Sequence, residues 1–230
     1  MGNKSVYIIC AHSDDQVLGV GGTAAKYARE GIDVITIIMS YGEMSHFWMQ
    51  GKFTTKMRVK ESQKANEVLN GKKVMFFGLK EGKFKEDIRK KNLLKNLRKM
   101  INEDKPTKIF THSINDPHPD HRETLEIVAD AVSGSRHKPD IYTFLIWNPI
   151  PIKKRNRPKL VVDTSKTTKL KIRSAFCFKS QKLSILQLLP VIIATNFING
   201  FKYNMRFAEL FFRYDIDDHK KSKRKKRRKR

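Results

Sequence analysis

The stretch VYIICAHSDDQVLGVGGT, residues 6–23, decides the fold of this chain. It opens with the apolar run Val6–Cys10, which is typical of a buried strand, and the spacing of Thr23–Arg29 predicts a helix. Between the two lie His12, Asp14 and Asp15, and then three glycines. Strand, polar turn and helix form the first unit of an α/β sheet, and such sheets bind ligands at the carboxyl ends of their strands. We therefore expect these three polar side chains to lie at a functional site.

A second polar cluster, NDPHPDHRE at residues 115–123, follows the apolar run Lys108–His112 and leads into the helical pattern Thr124–Val132. Histidine and aspartate at two strand ends can converge on one divalent metal ion. Three protein ligands and a water molecule make a catalytic zinc site. Spacing alone leaves open which of these residues would be the ligands.

Both clusters resemble the motifs of the PIG-L-like (LmbE-like) zinc-dependent de-N-acetylases. AHSDD with GVGGT, within residues 11–23, is similar to the first signature of that family, and HPDH at residues 118–121 is similar to the second. Weaker similarities extend over most of the chain: YGE at 41–43, the helical pattern around Arg58 and Glu61, VD at 162–163, and SQ at 180–181. Ser13 departs from the family, which usually has proline or alanine there, but it lies between the functional residues.

The resemblance implies that His12, Asp15 and His121 hold a zinc ion, and other first-row divalent metals also suit such a ligand set. It implies that Asp14 is the general base. A metal-activated water has a pKa of about 7, so a nearby carboxylate is basic enough to take its proton. Asp14 is also a suitable N-cap for the helix that follows, and the two roles are compatible.

His118 and Asp120 are the other catalytic candidates of the second motif. As an imidazolium, His118 would stabilise the oxyanion of a tetrahedral intermediate, and the family gives the matching histidine that role or the role of general acid. We expect Asp120 either to accept a proton from a histidine ring and fix its tautomer, or to cap the helix.

The candidates for substrate binding are Arg58, Glu43, Trp48 and Asp116. Arg58 matches an arginine of the family, and its alternative role is a surface charge on a helix. Trp48 lies in the aromatic run HFW, residues 46–48, which would stack on a sugar ring or pack the loop. Asp116 would touch the substrate or support its own loop. We expect His112, at the end of its strand, to be buried.

Apolar runs alternate with helical patterns along the chain. The runs that predict strands are Val6–Cys10, Val34–Ser40, Lys73–Phe77, Lys108–Thr111, Ile141–Trp147 and Leu160–Val162. The patterns that predict helices are Gly22–Glu30, Lys56–Asn70, Glu86–Glu103, Glu123–Ser133, Lys169–Lys179 and, as the last helix, Tyr203–Tyr214. This alternation predicts an α/β fold, a Rossmann-like three-layer sandwich with a mostly parallel sheet and helices on both faces.

One further segment, Leu183–Ile198, is strongly apolar but short for a bilayer span. We expect a core helix or a helix that lines the pocket, with a membrane-surface patch as the alternative. The two cysteines, Cys10 and Cys177, lie in apolar segments and predict small buried residues in a reducing compartment. No secretory signal is predicted at Met1–Cys10, so we expect a cytoplasmic protein, with a location peripheral to a membrane as the alternative.

The net charge of +25 is concentrated towards the end of the chain, where ten of the eleven residues in Lys220–Arg230 are basic. Such a run repels itself and buries nothing, which predicts a domain over residues 1–218 and a disordered basic tail over 219–230. The tail is either simply solvated or attracted to nucleic acid or anionic lipid.

The predicted function is that of a metal-dependent hydrolase. It would remove the acetyl group from an N-acetylated sugar, in an N-acetylglucosamine-containing glycan, glycolipid or glycoside, and release acetate and a free amine. The alternative is a catalytically inert protein of the same fold that binds nucleic acid or anionic membrane, but the ligand set and Asp14 are all present. A nucleotide-binding Rossmann protein is disfavoured because the first turn lacks the glycine fingerprint for a pyrophosphate.

Overall fold

The computed structural model describes residues 4–42, 51–147 and 159–219, and of residues 51–53 and 159 it describes the backbone alone. The strands are β1 (Ser5–Cys10), β2 (Asp33–Ile38), β3 (Lys73–Phe76), β4 (Lys108–His112), β5 (Asp140–Phe144), β6 (Lys159–Asp163) and β7 (Ala208–Tyr214). The helices are α1 (Asp15–Arg29), α2 (Gly51–Val68), α3 (Phe84–Lys90), α4 (Leu93–Asp104), α5 (Pro119–Gly134), α6 (Thr168–Ala175) and α7 (Lys182–Lys202).

The seven strands form one sheet in the order β3-β2-β1-β4-β5-β7-β6. Strands β1 to β5 pair in parallel, and β7 pairs antiparallel with both β5 and β6. Successive residues of β1 point to opposite faces: Val6 and Ile8 join a core with α1, α6 and α7, and Tyr7 and Ile9 join a core with α3, α4 and α5. The predicted three-layer α/β fold is confirmed.

The position of β1 in the sheet determines where a ligand can bind. This strand pairs with β2 on one side and with β4 on the other, so the strand order reverses direction between β1 and β4. A crevice opens at the carboxyl ends of the strands at such a point, and ligands bind there. β1 ends at Cys10, two residues before His12, and β4 ends at His112.

Helix α1 begins at Asp15, ahead of the predicted start at Gly22. The glycines of the first motif therefore lie inside the helix, where close packing against the sheet requires them. A Cβ atom on Gly19 would overlap the ring of Phe144, and one on Gly22 would lie 2.8 Å from Cγ2 of Thr164.

Two predicted helices are wrong. Tyr203–Tyr214 is not a helix, because its second half is strand β7, hydrogen-bonded between β5 and β6 and buried at both Phe211 and Phe212. Glu86–Glu103 is not continuous, because Asn92 adopts φ 53° and separates α3 from α4. Cys177 also differs from its prediction, since it is only partly buried, whereas Cys10 is fully buried.

Candidate active site

A cavity of about 480 Å³ opens at the carboxyl ends of β1 and β4. Six of the predicted site residues line it, namely His12, Asp14, Asp15, Arg58, His118 and Asp120. His121 lies directly behind them, fully buried. The structure thus brings the two sequence motifs together in one place.

His12, Asp15 and His121 converge on a single point. Oδ2 of Asp15 lies 3.5 Å from Nδ1 of His12 and 3.5 Å from Nε2 of His121. Donor atoms about 2.1 Å from a tetrahedral ion lie about 3.4 Å apart, so these separations are those of a metal ligand set. Although burial alone would raise the pKa of Asp15, His121 and His112 hold it well below its usual range, and the carboxylate is ionised as a ligand must be.

The buried nitrogen Nε2 of His121 tests this fit. It makes no hydrogen bond within the part of the chain that the structure describes, and a polar atom left in that state costs free energy. Burial and the neighbouring His112 lower the pKa of His121, so its ring is neutral. A neutral imidazole with an unpaired nitrogen beside an ionised carboxylate fits a divalent cation.

Two further buried residues hold His121 in position. Nδ1 of His121 lies 3.0 Å from Oδ1 of Asp116, and its ring stacks on His112 with centroids 3.8 Å apart. Nε2 of His112 also accepts a hydrogen bond from the backbone of Ala11, which fixes the start of the first motif. The predicted burial of His112 is confirmed.

Asp116 therefore has a supporting position. It is 1% exposed, it accepts hydrogen bonds from the backbone of His118 and Ile146, and it is absent from the described lining of the cavity. Of its two predicted roles, the structure favours support of the loop over contact with a substrate.

We expect Asp116→Asn to weaken metal binding by about 10- to 100-fold, the usual effect of removing a carboxylate that orients a histidine ligand. The amide loses the negative charge that faces Nδ1 of His121. Titration of the metal-free protein with zinc and a competing chelator measures the change. Asp130→Asn is the matched control, because Asp130 also contacts a histidine, His219, at 2.8 Å but outside the cavity lining. Equal zinc affinity in wild type and Asp116→Asn would contradict the role.

Asp14 lies at the N-cap of α1 and faces the cavity. Its backbone carbonyl accepts hydrogen bonds from Val17 and Leu18, but its carboxylate makes no capping hydrogen bond to the described residues. Burial and the adjacent Asp15 raise the pKa of Asp14, while Arg58 opposes that rise. The capping role predicted for its side chain is not seen among the described residues, and the carboxylate lies at the cavity with a raised pKa, which would suit it to accept a proton.

His118 is the N-cap of α5, and Pro119 is in the first helical position. Its Nδ1 accepts a hydrogen bond from the backbone of Asp120, so the ring carries its proton on Nε2. Burial, His12 and His121 lower the pKa of His118. The ring is therefore a neutral hydrogen-bond donor in the structure, and its role as oxyanion stabiliser or general acid stays a prediction.

Asp120 links the two motifs. Its Oδ2 lies 3.4 Å from Nε2 of His12, and its carboxylate accepts a hydrogen bond from the backbone of Gly82 at 3.0 Å. Burial opposes protonation of His12, but Asp120 and Asp15 outweigh it and raise the pKa of His12 to about 10, so a metal ion that binds this ring has to displace a proton from it. Of the two predicted roles of Asp120, contact with a histidine ring is the one observed, and the helix cap is His118.

Arg58 is 1% exposed and lines the cavity, so the alternative prediction of a surface charge is wrong. Its guanidinium donates to Oγ of Ser13 at 3.1 Å and faces the amide of Gln181. Burial lowers the pKa of Arg58, and the nearby Asp14 and Glu61 counteract that effect. A buried cation beside the metal ligands can bind a polar or anionic part of a ligand.

Two lining residues, Glu81 and Trp147, were not predicted. Oε1 of Glu81 lies 3.5 Å from Nε2 of His12, and Trp147 is a half-exposed ring at the cavity. Gln181 and two residues of α7, Ser184 and Leu188, complete that side. The Leu183–Ile198 segment is thus part of a helix that lines the pocket, as predicted.

Two of the predicted substrate residues, Glu43 and Trp48, lie outside the described residues, as does the rest of the HFW run at 46–48.

Comparisons with known proteins agree with this geometry. The family model described as GlcNAc-PI de-N-acetylase (PIG-L) matches residues 7–132, which include both motifs. Diacetylchitobiose deacetylase of Thermococcus kodakarensis is 27% identical over 197 residues, covering 77% of this chain and 70% of that protein. 4-Oxalmesaconate hydratase of Pseudomonas putida is 29% identical over 136 residues, covering 56% of this chain and 51% of that protein.

Among solved structures, N,N'-diacetylchitobiose deacetylase from Pyrococcus horikoshii matches with a TM-score of 0.75 and 23% sequence identity. The match covers 93% of this chain and 84% of that one, and it shows a common fold. Because the family model spans more than half of the chain and includes His12, Asp15 and His121, this chain belongs to the PIG-L family of GlcNAc-PI de-N-acetylases.

Proposed function

We propose that this protein is a zinc-dependent de-N-acetylase that hydrolyses the acetamide of an N-acetylated sugar to acetate and a free amine. One observation carries the proposal: His12, Asp15 and His121 converge at the cavity, and beside them lies the carboxylate of Asp14, which makes no capping hydrogen bond to the described residues. Its relative in Thermococcus, a diacetylchitobiose deacetylase, supports an N-acetylated sugar as the substrate class.

The metal site fits zinc, because two imidazoles and one carboxylate are ligands that catalytic zinc commonly takes. When bound there, the ion would supply Lewis-acid activation of water and of the acetyl carbonyl.

Four side chains would carry out the proton transfers and the positioning that the reaction needs. Asp14, with a raised pKa, accepts the proton of the attacking water and can return it to the leaving amine. His118 donates from Nε2 to the carbonyl oxygen as negative charge develops there. Asp120 holds the ring of His12, and Arg58 binds a polar part of the substrate within the cavity.

The second candidate is a hydratase, because a relative with 29% identity is a 4-oxalmesaconate hydratase. The same base and metal ligands could add water to a carbon–carbon double bond, and the buried Arg58 would suit a carboxylate substrate. An inert binding protein is disfavoured, because every ligand predicted from the two motifs is in place.

The test is a panel of substrates with the zinc-loaded protein. It contains N,N'-diacetylchitobiose, N-acetylglucosamine glycosides and lipids, and an unsaturated dicarboxylic acid. We expect stoichiometric acetate and free amine from at least one N-acetylated sugar. Loss of the double bond in the acid, without acetate from any sugar, would favour the hydratase instead.

For the basic tail we propose a role in long-range attraction only. Deletion of Lys220–Arg230 is expected to leave melting temperature and turnover of a small sugar unchanged, because the segment has no apolar side chain to bury. The deletion should weaken binding to nucleic acid and anionic vesicles at low salt, and binding by the intact protein should weaken as salt rises, since screening reduces charge attraction beyond about 8 Å at physiological ionic strength. A large fall in melting temperature would mean that the tail packs on the domain.

A further inference from the structure

Helix α7 has two different faces. One packs into the core through Ile185, Leu189 and Ile192. The other is exposed, and its large apolar side chains are Leu183, Leu186, Val191, Phe197, Ile198 and Phe201, each between 47% and 81% exposed. We call these six residues the α7 apolar face. In the described part of the chain, the segment Lys179–Lys202, which contains α7, is the one helix long and apolar enough to cross a membrane. Only 28% of its most apolar part is buried.

Basic residues lie at both ends of the α7 apolar face, and we call these residues the basic rim. No charged residue lies between Lys182 and Lys202, so the face itself is uncharged over the length of the helix. Lys179 and Lys182 at one end, and Lys202 and Arg206 at the other, are all exposed. Residues 164–208 contain eight basic residues and no acidic one.

An apolar surface of this kind is a mark of an interaction site. Proteins that function alone in water rarely expose contiguous apolar patches of more than a few hundred Å². Large apolar side chains are stabilised when they are transferred out of water, so the six of this face favour a covering partner.

The partner has to match both the α7 apolar face and the basic residues at its ends. Nucleic acid would match the basic rim but leaves the apolar side chains in water. A second copy of the chain would bring two identical basic rims together, in a chain whose net charge is already +25. Anionic lipid offers negative headgroups to the rim and acyl chains to the apolar side chains, and so matches both.

We propose that the α7 apolar face docks on the surface of an anionic lipid bilayer, with the helix lying in the plane of the interface. The helix does not span the bilayer, because its other face is packed on the sheet and includes the buried amide of Asn196. The depth of insertion is that of one row of side chains.

Docking would also orient the cavity. Ser184 and Leu188 of α7 line it, and they share turns of the helix with the exposed Leu183 and Leu186. The mouth of the cavity would therefore lie close to the lipid surface. The docking surface does not depend on which reaction the cavity carries out.

The test is sedimentation of the full chain with vesicles of phosphatidylcholine alone and of phosphatidylcholine with phosphatidylglycerol. In about 1 M salt the Debye length is about 3 Å, so attraction through the basic tail is suppressed and apolar insertion remains. The variant Leu183→Gln/Ile198→Gln/Phe201→Gln removes three highly exposed side chains and is expected to bind the anionic vesicles at least about tenfold more weakly in that salt. Ile114→Gln, an exposed apolar residue outside residues 164–208, is the matched control and should bind as wild type does.

A second variant, Lys179→Gln/Lys202→Gln, isolates the rim. It should weaken binding at low salt and leave binding at high salt unchanged. The proposal is overturned if the wild type fails to bind anionic vesicles, or if the triple variant binds them as tightly as the wild type. It is also overturned if light scattering finds a dimer that the triple variant converts to a monomer, since a second copy would then cover the face.

Discussion

Asp14→Asn is expected to keep its metal ion and to lose about 10²- to 10⁴-fold in turnover, the range that general base catalysis supplies. Asparagine has nearly the shape of aspartate, but it cannot accept a proton. The carboxylate of Asp14 faces the cavity, makes no capping hydrogen bond to the described residues, and has a raised pKa from burial and Asp15. Its removal should therefore affect the proton transfer and little else.

The measurement is turnover and metal content on the same preparation of Asp14→Asn. Asp33→Asn is the control, because Asp33 lies at the opposite, amino end of β2 and pairs with Lys72. Near-wild-type turnover in the metal-loaded variant would remove Asp14 from the mechanism. Loss of metal would mean that Asp14 is a ligand and that its role is exchanged with that of Asp15.

His121→Ala is expected to lose both the bound metal and detectable turnover. Its Nε2 is buried without a hydrogen bond to the described residues and lies 3.5 Å from Asp15, so we infer that a bound cation would be its partner. Because His121 is fully buried, the truncation also leaves a void that can lower the melting temperature. His12→Ala tests the same ligand set at a side chain that is 16% exposed, where the packing loss is smaller.

Metal content after dialysis against a weak chelator, with turnover, distinguishes the outcomes. His137→Ala is the control, since His137 contacts the backbone of Pro106 and is not a lining residue of the cavity. Full metal retention in either His121→Ala or His12→Ala would show that the ion is bound elsewhere.

The site was largely predictable because its residues follow directly after buried strands. His12, Asp14 and Asp15 come after β1, and the second motif comes after β4, and neighbouring parallel strands bring their carboxyl ends to one edge. Glu81 follows β3 at the same edge but stands alone in the sequence, without a histidine beside it. Its place near His12 depends on the contact between Gly82 and Asp120, which is not encoded locally.

The errors have a common physical origin in contacts that are distant in sequence. Phe207, Leu210 and Phe211 suit a helical stripe, but antiparallel pairing with β5 and β6 makes their segment a strand. Arg58 has the spacing of a surface charge on a helix, yet it is buried because α2 packs at the cavity. The lowered pKa of His118, which burial and the neighbouring His12 and His121 cause, is a further property that the sequence does not reveal.

We propose that Asp14 and a metal ion held by His12, Asp15 and His121 together hydrolyse an acetamide. The most direct measurement is the release of acetate and free amine from N,N'-diacetylchitobiose by one preparation of wild-type protein, assayed as purified, after chelation, and after addition of zinc. We predict equal amounts of the two products, loss of both on chelation, and recovery with zinc in wild type but not in Asp14→Asn. Acetate release that persists undiminished in the chelated protein, or that zinc restores equally in Asp14→Asn, would contradict the account.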